Sequence, residues 1–229
     1  MDTPEGGSAQ ETGRAPSLFR PIVTWSILGL TGVMFLLQLV PGLDLIHRLG
    51  FVPALALEQP WRTLTVALVH DQPSPVHLLA NMIGLYFFGS FVERALGHAR
   101  FFVVYFLGAI GGSTAVLLLA DPFSRDWVTL NIGASGAVFA IVGVLLVPTR
   151  ELDRNIGGAV LFVALNFGYG FLVAGVSWQA HLGGLVTGFV LGAAALLVRE
   201  RRTMIVFALV AIAWLAAMVG GDVWRVLTA

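Results

Sequence analysis

Residues 101–119 read FFVVYFLGAIGGSTAVLLL, a stretch with no charged side chain and no proline. A helix needs about 20 mostly apolar residues to cross a hydrocarbon core about 30 Å thick. A backbone in lipid must satisfy its own hydrogen bonds, and this stretch is too long and too continuously apolar for a barrel strand. The stretch therefore predicts a transmembrane α-helix.

Further apolar stretches of the same kind follow each other along the chain, separated by charged residues, proline or glycine. They run over 22–40, 77–95, 134–148, 156–176, 180–198 and 204–220. The chain of 229 residues is 57% hydrophobic and 11% charged, with a mean hydropathy of +0.87, which excludes a soluble domain. We therefore predict an all-α membrane protein with seven spans. It contains no cysteine, which excludes disulfides and thiolate chemistry.

The composition divides the chain into three parts. Residues 1–20 are polar and are predicted to be a disordered cytoplasmic tail, because they cannot bury enough apolar surface to fold. Residues 21–200 form the predicted core of six spans, with a long, partly apolar loop over 41–76 at the outer interface. Residues 201–229 form a seventh helix and a short tail. The first span is too long for a signal peptide and lacks a cleavage site, so we expect it to remain as an anchor.

Arginines supply all 13 basic residues and predict the orientation, because basic residues collect on the cytoplasmic side of a membrane. With the N-terminus inside, the cytoplasmic segments hold Arg14, Arg20, Arg94, Arg100, Arg150, Arg154, Arg199, Arg201 and Arg202. The outer segments hold Arg48, Arg62, Arg125 and Arg225. This excess predicts a cytoplasmic N-terminus and an external C-terminus.

Polar side chains within the apolar stretches are costly in a bilayer, so each is a functional candidate. Those that stand out are His77, Asn81, Ser135 and His181. Counted from the charged residue at the cytoplasmic end of each span, Ser135, His77 and His181 are 15, 16 and 18 residues deep. At helical rise these counts correspond to roughly 22 to 27 Å. The three side chains are therefore predicted to lie at one depth, below the outer boundary.

The faces of the helices agree with these depths. His77 and Asn81 are four residues apart and share a helical face. Gly184 and Gly188 follow His181 on its face, and Gly136 lies beside Ser135. Small residues let transmembrane helices approach closely, so these faces predict that Ser135 and His181 come within hydrogen-bond reach.

Gly133-Ala134-Ser135-Gly136 resembles the Gly-x-Ser-Gly motif that opens the fourth helix of the rhomboid proteases. Several further motifs resemble the same family, in the same order along the chain, from residue 61 onward. They are Trp61-Arg62, His77-x-x-x-Asn81, Glu93-x-x-x-Gly97-x-x-Arg100 and Ala180-His181-x-x-Gly184-x-x-x-Gly188. The chain departs from the family in having Phe139 where members often have tyrosine. Its seventh helix is similar to that of the members with six core helices plus one, which implies a rhomboid-like bundle with an extra C-terminal helix.

The resemblance implies an intramembrane serine endopeptidase in which Ser135 is the nucleophile and His181 the general base and then general acid. A serine hydroxyl needs such a base, and imidazole titrates in the useful range. No Asp or Glu lies within the core of a span to orient the imidazole, so a dyad is predicted. The remaining roles fall to His77, Asn81, Gly133 and the Ser135 backbone as oxyanion support, Phe139 as a pocket wall, Gly136, Gly184 and Gly188 as packing residues, and Trp61 and Arg62 in the outer loop.

The expected partners are the lipid bilayer and transmembrane segments of other proteins, which would enter between the second and fifth spans beneath a cap at residues 175–179. No cofactor, metal or nucleic acid is expected, and the location implied is a bacterial plasma membrane. A catalytically weak rhomboid-like protein that binds transmembrane helices would share this fold. A polytopic transporter would also explain polar residues at depth, although it would more often show paired carboxylates or inverted repeats. A metal enzyme would need a third ligand such as His70.

Overall fold

The computed structural model describes residues 19–148, 157–172, 177–198 and 200–228. In this part of the chain the ordered elements are helical, with one isolated antiparallel bridge between Phe51 and Asn131. The α-helices in chain order are α1 Ile22–Gln38, α2 Leu45–Leu49, α3 Arg62–Thr65, α4 Val76–Gly84, α5 Ser90–Leu96, α6 His98–Leu119, α7 Ser135–Leu145, α8 Gly157–Leu172, α9 Trp178–Leu197 and α10 Glu200–Thr228. The predicted all-α class is confirmed. The predicted tail over 1–18, the loop arginines Arg150, Arg154 and Arg199, and residues 175–176 of the cap lie outside the described residues.

Helix lengths separate the apolar helices into two groups. Within the described residues, four are long and apolar enough to cross a membrane, namely Val76–Leu96, His98–Leu119, Trp178–Leu197 and Arg202–Gly221. The first of these is α4 and α5 joined by one π-helical turn, Leu85–Gly89. Three apolar helices are shorter: Ile22–Gln38, Ser135–Leu145 and Gly157–Phe167. The span predicted at 134–148 is thus helical only over Ser135–Leu145, because a turn precedes it and Pro148 follows.

The centre of the bundle is α7, whose residues are all buried from Gly136 to Leu145. It lies between α6 and α9, and the three helices approach closely where their side chains are smallest. A methyl group on Gly188 of α9 would overlap the backbone of Ala140 in α7. A methyl group on Gly143 of α7 would likewise overlap the backbone of α9 at Leu185. The stripe of small residues predicted on α9 is therefore a seam against α7.

The loop over 41–75 is ordered by buried polar contacts rather than by a continuous helix. Arg62 is 7% exposed, and its guanidinium donates to the carbonyl oxygens of His47 and Gly50, at 2.6 Å each, and to the side chain of Gln59. Phe51 forms two backbone hydrogen bonds with Asn131, whose loop leads into α7. Arg62 thus organises the loop, whereas Trp61 is half exposed.

A buried carboxylate in α5 joins that helix to the first turn of α1. Glu93 has no exposed surface, and its oxygens accept the backbone N–H groups of Val23 and Thr24 at 2.9 and 2.8 Å. The Thr24 hydroxyl donates to the same carboxylate at 2.6 Å, and Nδ1 of His98 lies 2.5 Å from it. The first N–H groups of a helix lack partners within the helix, so Glu93 caps α1 from a distant part of the chain.

Replacing Glu93 by alanine is expected to lower the free energy of unfolding by about 3 kcal/mol, because two buried N–H groups and one hydroxyl lose a charged acceptor. Thermal unfolding in detergent micelles measures the loss. Glu58→Ala removes an exposed carboxylate in the loop over 41–75 and is the matched control, expected to change stability by less than about 0.5 kcal/mol. Equal melting temperatures for the two variants would show that Glu93 does not hold α1.

Candidate functional site

Ser135 is the first residue of α7, and the turn before it is held by long-range contacts. Gly133 has a φ of +114°, a conformation that glycine adopts without strain. Its N–H donates to the carbonyl oxygen of Val66 at 3.0 Å. The carbonyl oxygen of Ala134 accepts the N–H of Val138 at 3.0 Å, which starts the helix. The turn therefore presents Ser135, half-buried, at the N-terminus of α7.

His181 lies in the first turn of α9 and is 4% exposed. Phe139, one turn beyond Ser135 on α7, stacks on the imidazole of His181 with ring centroids 4.2 Å apart and planes inclined by 7°. Phe167 of α8 approaches the same imidazole edge-on, at 6.0 Å. The Nδ1 atom of His181 has no hydrogen-bond partner among the described residues. Aromatic packing thus orients the imidazole of His181.

The approach of α7 to α9 brings the two helix starts together. A methyl group on Gly184 would overlap the backbone of Gly136, next to Ser135. One on Gly136 would lie 3.5 Å from the carbonyl oxygen of Ala180, next to His181. The neighbours of Ser135 and His181 are therefore in contact, and both side chains lie at the same end of adjacent helices.

His77 and Asn81 of α4 lie on the other side of the turn before Ser135. A Cβ atom on Gly133 would lie 2.6 Å from Nε2 of His77 and 3.9 Å from Nδ2 of Asn81. Asn81 is 6% exposed, and one of its two amide N–H bonds donates to the carbonyl oxygen of His77 at 2.9 Å. The bare Cα of Gly133 thus makes room for both side chains beside the turn that precedes Ser135.

One residue of this group was not assigned to it from the sequence. The sequence indicates His70 only as a conceivable metal ligand, yet this residue is completely buried beside His77, with ring centroids 5.2 Å apart. Its Nε2 accepts the N–H of Ala134 at 3.4 Å. Burial, and to a smaller extent the neighbouring His77, lowers the pKa of His70 to about 3, so the ring is neutral. The described residues contain no group of three His, Cys, Asp or Glu residues that could hold a metal ion.

A cavity of about 230 Å³ opens beside the starts of α7 and α9. Its wall combines the end of α6, the loop before α7 and the first residues of α9: Val116, Ala120, Asp126, Thr129, Asn131, Ser177, Trp178 and Gln179. The wall therefore combines apolar side chains with carboxylate, hydroxyl and amide groups. The part of the predicted cap that is described, Ser177 to Gln179, lines the cavity.

Comparison with known proteins adds to this geometry. A family model described as the Rhomboid domain matches residues 57–199, more than half of the chain. The chain is 38% identical to RHOMBOID-like protein 4 of Arabidopsis thaliana over 145 residues, 59% of this chain and 34% of that protein. It is 34% identical to Rhomboid protease GluP of Bacillus subtilis (strain 168) over 139 residues, 58% of this chain and 26% of that protein.

A shorter relative is covered almost completely. The chain is 31% identical to the Putative rhomboid protease YdcA of Bacillus subtilis (strain 168) over 191 residues, 80% of this chain and 92% of that protein. By contrast, the chain spans about a third or less of the length of the first two relatives. The match to the family model, the coverage of this relative and the long apolar helices lead to one conclusion: the chain is an integral membrane protein of the rhomboid family.

Proposed function

We propose that this protein is an intramembrane serine endopeptidase that cleaves transmembrane segments of other proteins with a Ser135–His181 dyad. The observation that carries the proposal is the contact between the first turns of α7 and α9. In this contact the buried imidazole of His181 stacks on Phe139, one turn from Ser135. Protease-named relatives support the same reading. A buried histidine beside a serine at a helix N-terminus is the arrangement that nucleophilic catalysis needs.

In this mechanism the Ser135 hydroxyl attacks the scissile carbonyl carbon while the His181 imidazole takes its proton. The imidazolium then donates that proton to the leaving amine as the C–N bond breaks, which leaves an acyl ester on Ser135. A water molecule, deprotonated by His181, hydrolyses the ester and restores the enzyme. The stack on Phe139 limits rotation of the imidazole, a task that a carboxylate performs in triads.

The negative oxygen of the tetrahedral intermediate needs preorganised donors. The Ser135 N–H lies in the first turn of α7, where helix N–H groups point outward and the dipole favours negative charge. The imidazole of His77 and the second amide N–H of Asn81 are the side-chain donors next to it. Gly133 contributes the space in which the oxygen and these groups meet.

Substrate access is proposed between the α4–α5 helix and α8, the second and fifth spans. α8 contacts its neighbours through aromatic rings, with Phe162 against Phe88 and Phe139 at 5.2 and 5.6 Å. Separating such aromatic contacts is expected to cost little free energy. Separating α7 from α9 would cost more, because their backbones touch at the glycines. A helical substrate must unwind locally to expose a carbonyl, so small or helix-breaking residues near the outer boundary are expected.

The orientation is proposed from the arginine distribution, with the N-terminus cytoplasmic and the C-terminus outside. In that orientation Ser135 and His181 lie toward the outer side, and the buried Glu93 lies near the cytoplasmic side. The proposed membrane is the bacterial plasma membrane.

The chemistry is tested by labelling the protein in lipid vesicles with a fluorophosphonate, which reacts with activated serines. We expect one adduct, on the peptide that contains Ser135, and parallel loss of cleavage of a co-reconstituted single-span substrate. Ser26→Ala is the matched control, because Ser26 only donates to the carbonyl oxygen of Ile22 within its own helix. An active preparation that is not labelled at Ser135 would overturn the assignment. Binding of the substrate without any cleavage would instead indicate a helix-binding member of the family.

A further inference from the structure

Three consecutive backbone N–H groups at the start of α7 differ in their hydrogen bonding. The Gly133 N–H donates to Val66, and the Ala134 N–H donates to Nε2 of His70. The Ser135 N–H has no acceptor among the described residues. Ala134 is therefore held on both sides, because His70 accepts its N–H and its carbonyl oxygen accepts the N–H of Val138. This leaves the Ser135 N–H free and fixes its direction.

The neutral imidazole of His70 acts as a hydrogen-bond acceptor in this arrangement. Accepting the Ala134 N–H at Nε2 places the proton of the neutral ring on Nδ1. The ring has no exposed surface and lies edge-on against His77. It therefore contacts two parts of the proposed oxyanion site at once, the turn before Ser135 and the His77 imidazole.

Gln38, the last residue of α1, holds the backbone of His70 from the other side. Its amide Nε2 donates to the His70 carbonyl oxygen at 2.7 Å, and its Oε1 accepts the His70 N–H at 3.1 Å. Such a two-point bond imitates the pairing of a neighbouring strand and fixes both position and orientation. Gln38 lies outside residues 57–199, which the family model matches.

We propose that Gln38 and His70 are positioning residues for the oxyanion site. Gln38 locks His70 against the turn, and His70 holds the Ala134 N–H so that the Ser135 N–H points at the developing oxyanion. This inference rests on the proposed function, because it assigns the Ser135 N–H a task that exists only if Ser135 is acylated. It links α1 to the chemistry performed at the start of α7.

The test compares Gln38→Leu with a matched control, Gln72→Leu. Gln72 lies in the loop that contains His70 and also bonds to α1, at the Phe35 carbonyl oxygen, but among the described residues it makes no hydrogen bond to His70. We expect Gln38→Leu to lower kcat by about tenfold or more, because a donor displaced by a fraction of an ångström stabilises a transition state poorly. KM is expected to stay within about twofold, because the oxyanion contact forms only in the transition state. Gln72→Leu is expected to leave both constants unchanged.

A second pair of variants separates positioning from folding. His70→Gln keeps an acceptor near the position of Nε2, whereas His70→Leu removes it. We expect His70→Gln to retain at least about a third of wild-type kcat and His70→Leu to lose about tenfold or more. Rates are expressed per serine that the fluorophosphonate can titrate, so a smaller folded fraction does not mimic a slower site.

The outcomes distinguish this inference from the proposed function. Full kcat in Gln38→Leu and His70→Leu, with an active wild type, would overturn the positioning role and leave the dyad intact. Equal losses in Gln38→Leu and Gln72→Leu would assign the effect to the loop as a whole and also overturn it. A wild-type protein that neither cleaves nor is labelled at Ser135 would reject the proposed function itself.

Discussion

Replacing Ser135 by alanine is expected to lower cleavage of a transmembrane substrate by about a thousandfold or more. Without the hydroxyl no acyl ester forms, and only binding and oxyanion contacts to an attacking water remain. His181→Ala is expected to cause a loss of similar size, because the hydroxyl then has no base. Initial rates in lipid vesicles, with substrate and product separated by electrophoresis, measure both effects.

The double variant Ser135→Ala, His181→Ala tests whether the two residues act as a unit. Its rate is expected to match that of Ser135→Ala alone, because the second substitution removes a partner that no longer has a task. Multiplied losses would indicate two independent contributions. The melting temperatures of the single variants show whether folding is retained. A near wild-type rate in either correctly folded single variant is incompatible with the dyad.

Replacing Gly188 by valine is expected to prevent stable folding. A Cβ atom there would overlap the backbone of Ala140, and backbone in the centre of a three-helix seam cannot move aside as a flexible side chain does. We expect a loss of more than about 3 kcal/mol in the free energy of unfolding, at the upper end for overpacked sites. Unfolding in detergent, followed by far-ultraviolet circular dichroism, measures the loss together with the yield of folded protein.

Gly29→Val in α1 is the matched control, since nothing lies within 4 Å of the added methyl position. It introduces the same side chain into an apolar helix and is expected to change stability by less than about 0.5 kcal/mol. Gly136→Ala is a milder substitution in the same helix interface, because the added Cβ would lie 3.5 Å from the carbonyl oxygen of Ala180, an ordinary van der Waals distance. Normal folding of Gly188→Val would mean that α7 and α9 do not meet at Ala140.

Much of the candidate site was predictable because its residues repeat with the period of a helix. Spacings of four within His77–Asn81 and Gly184–Gly188 place these pairs on single faces, and length between charges sets depth. The lack of carboxylates within the span cores predicts a dyad, and in the structure the imidazole of His181 stacks on the ring of Phe139. These inferences need only local geometry.

The contacts that join distant loops were not predictable in the same way. Nothing in the order of residues pairs Gln38 with His70, or Glu93 with the start of α1, because sequence separations of 32 and about 70 carry no helical period. His70 lies in a loop between helices, so helical periodicity predicts neither the direction of its side chain nor its depth. Its signal was only that a histidine precedes the His-x-x-x-Asn motif.

The sequence by itself determined the fold class, the main apolar helices and the candidacy of Ser135, His181, His77 and Asn81, because apolar length and helical period act over a few turns. Only the tertiary structure decided how the turn at Gly133 is held. The reason is physical: a backbone N–H in a buried loop must find an acceptor wherever packing brings one, and for Ala134 that acceptor is His70, itself held by the end of α1. Helical periodicity in the sequence was the basis for proposing the dyad, whereas long-range hydrogen bonds set the direction of the Ser135 N–H.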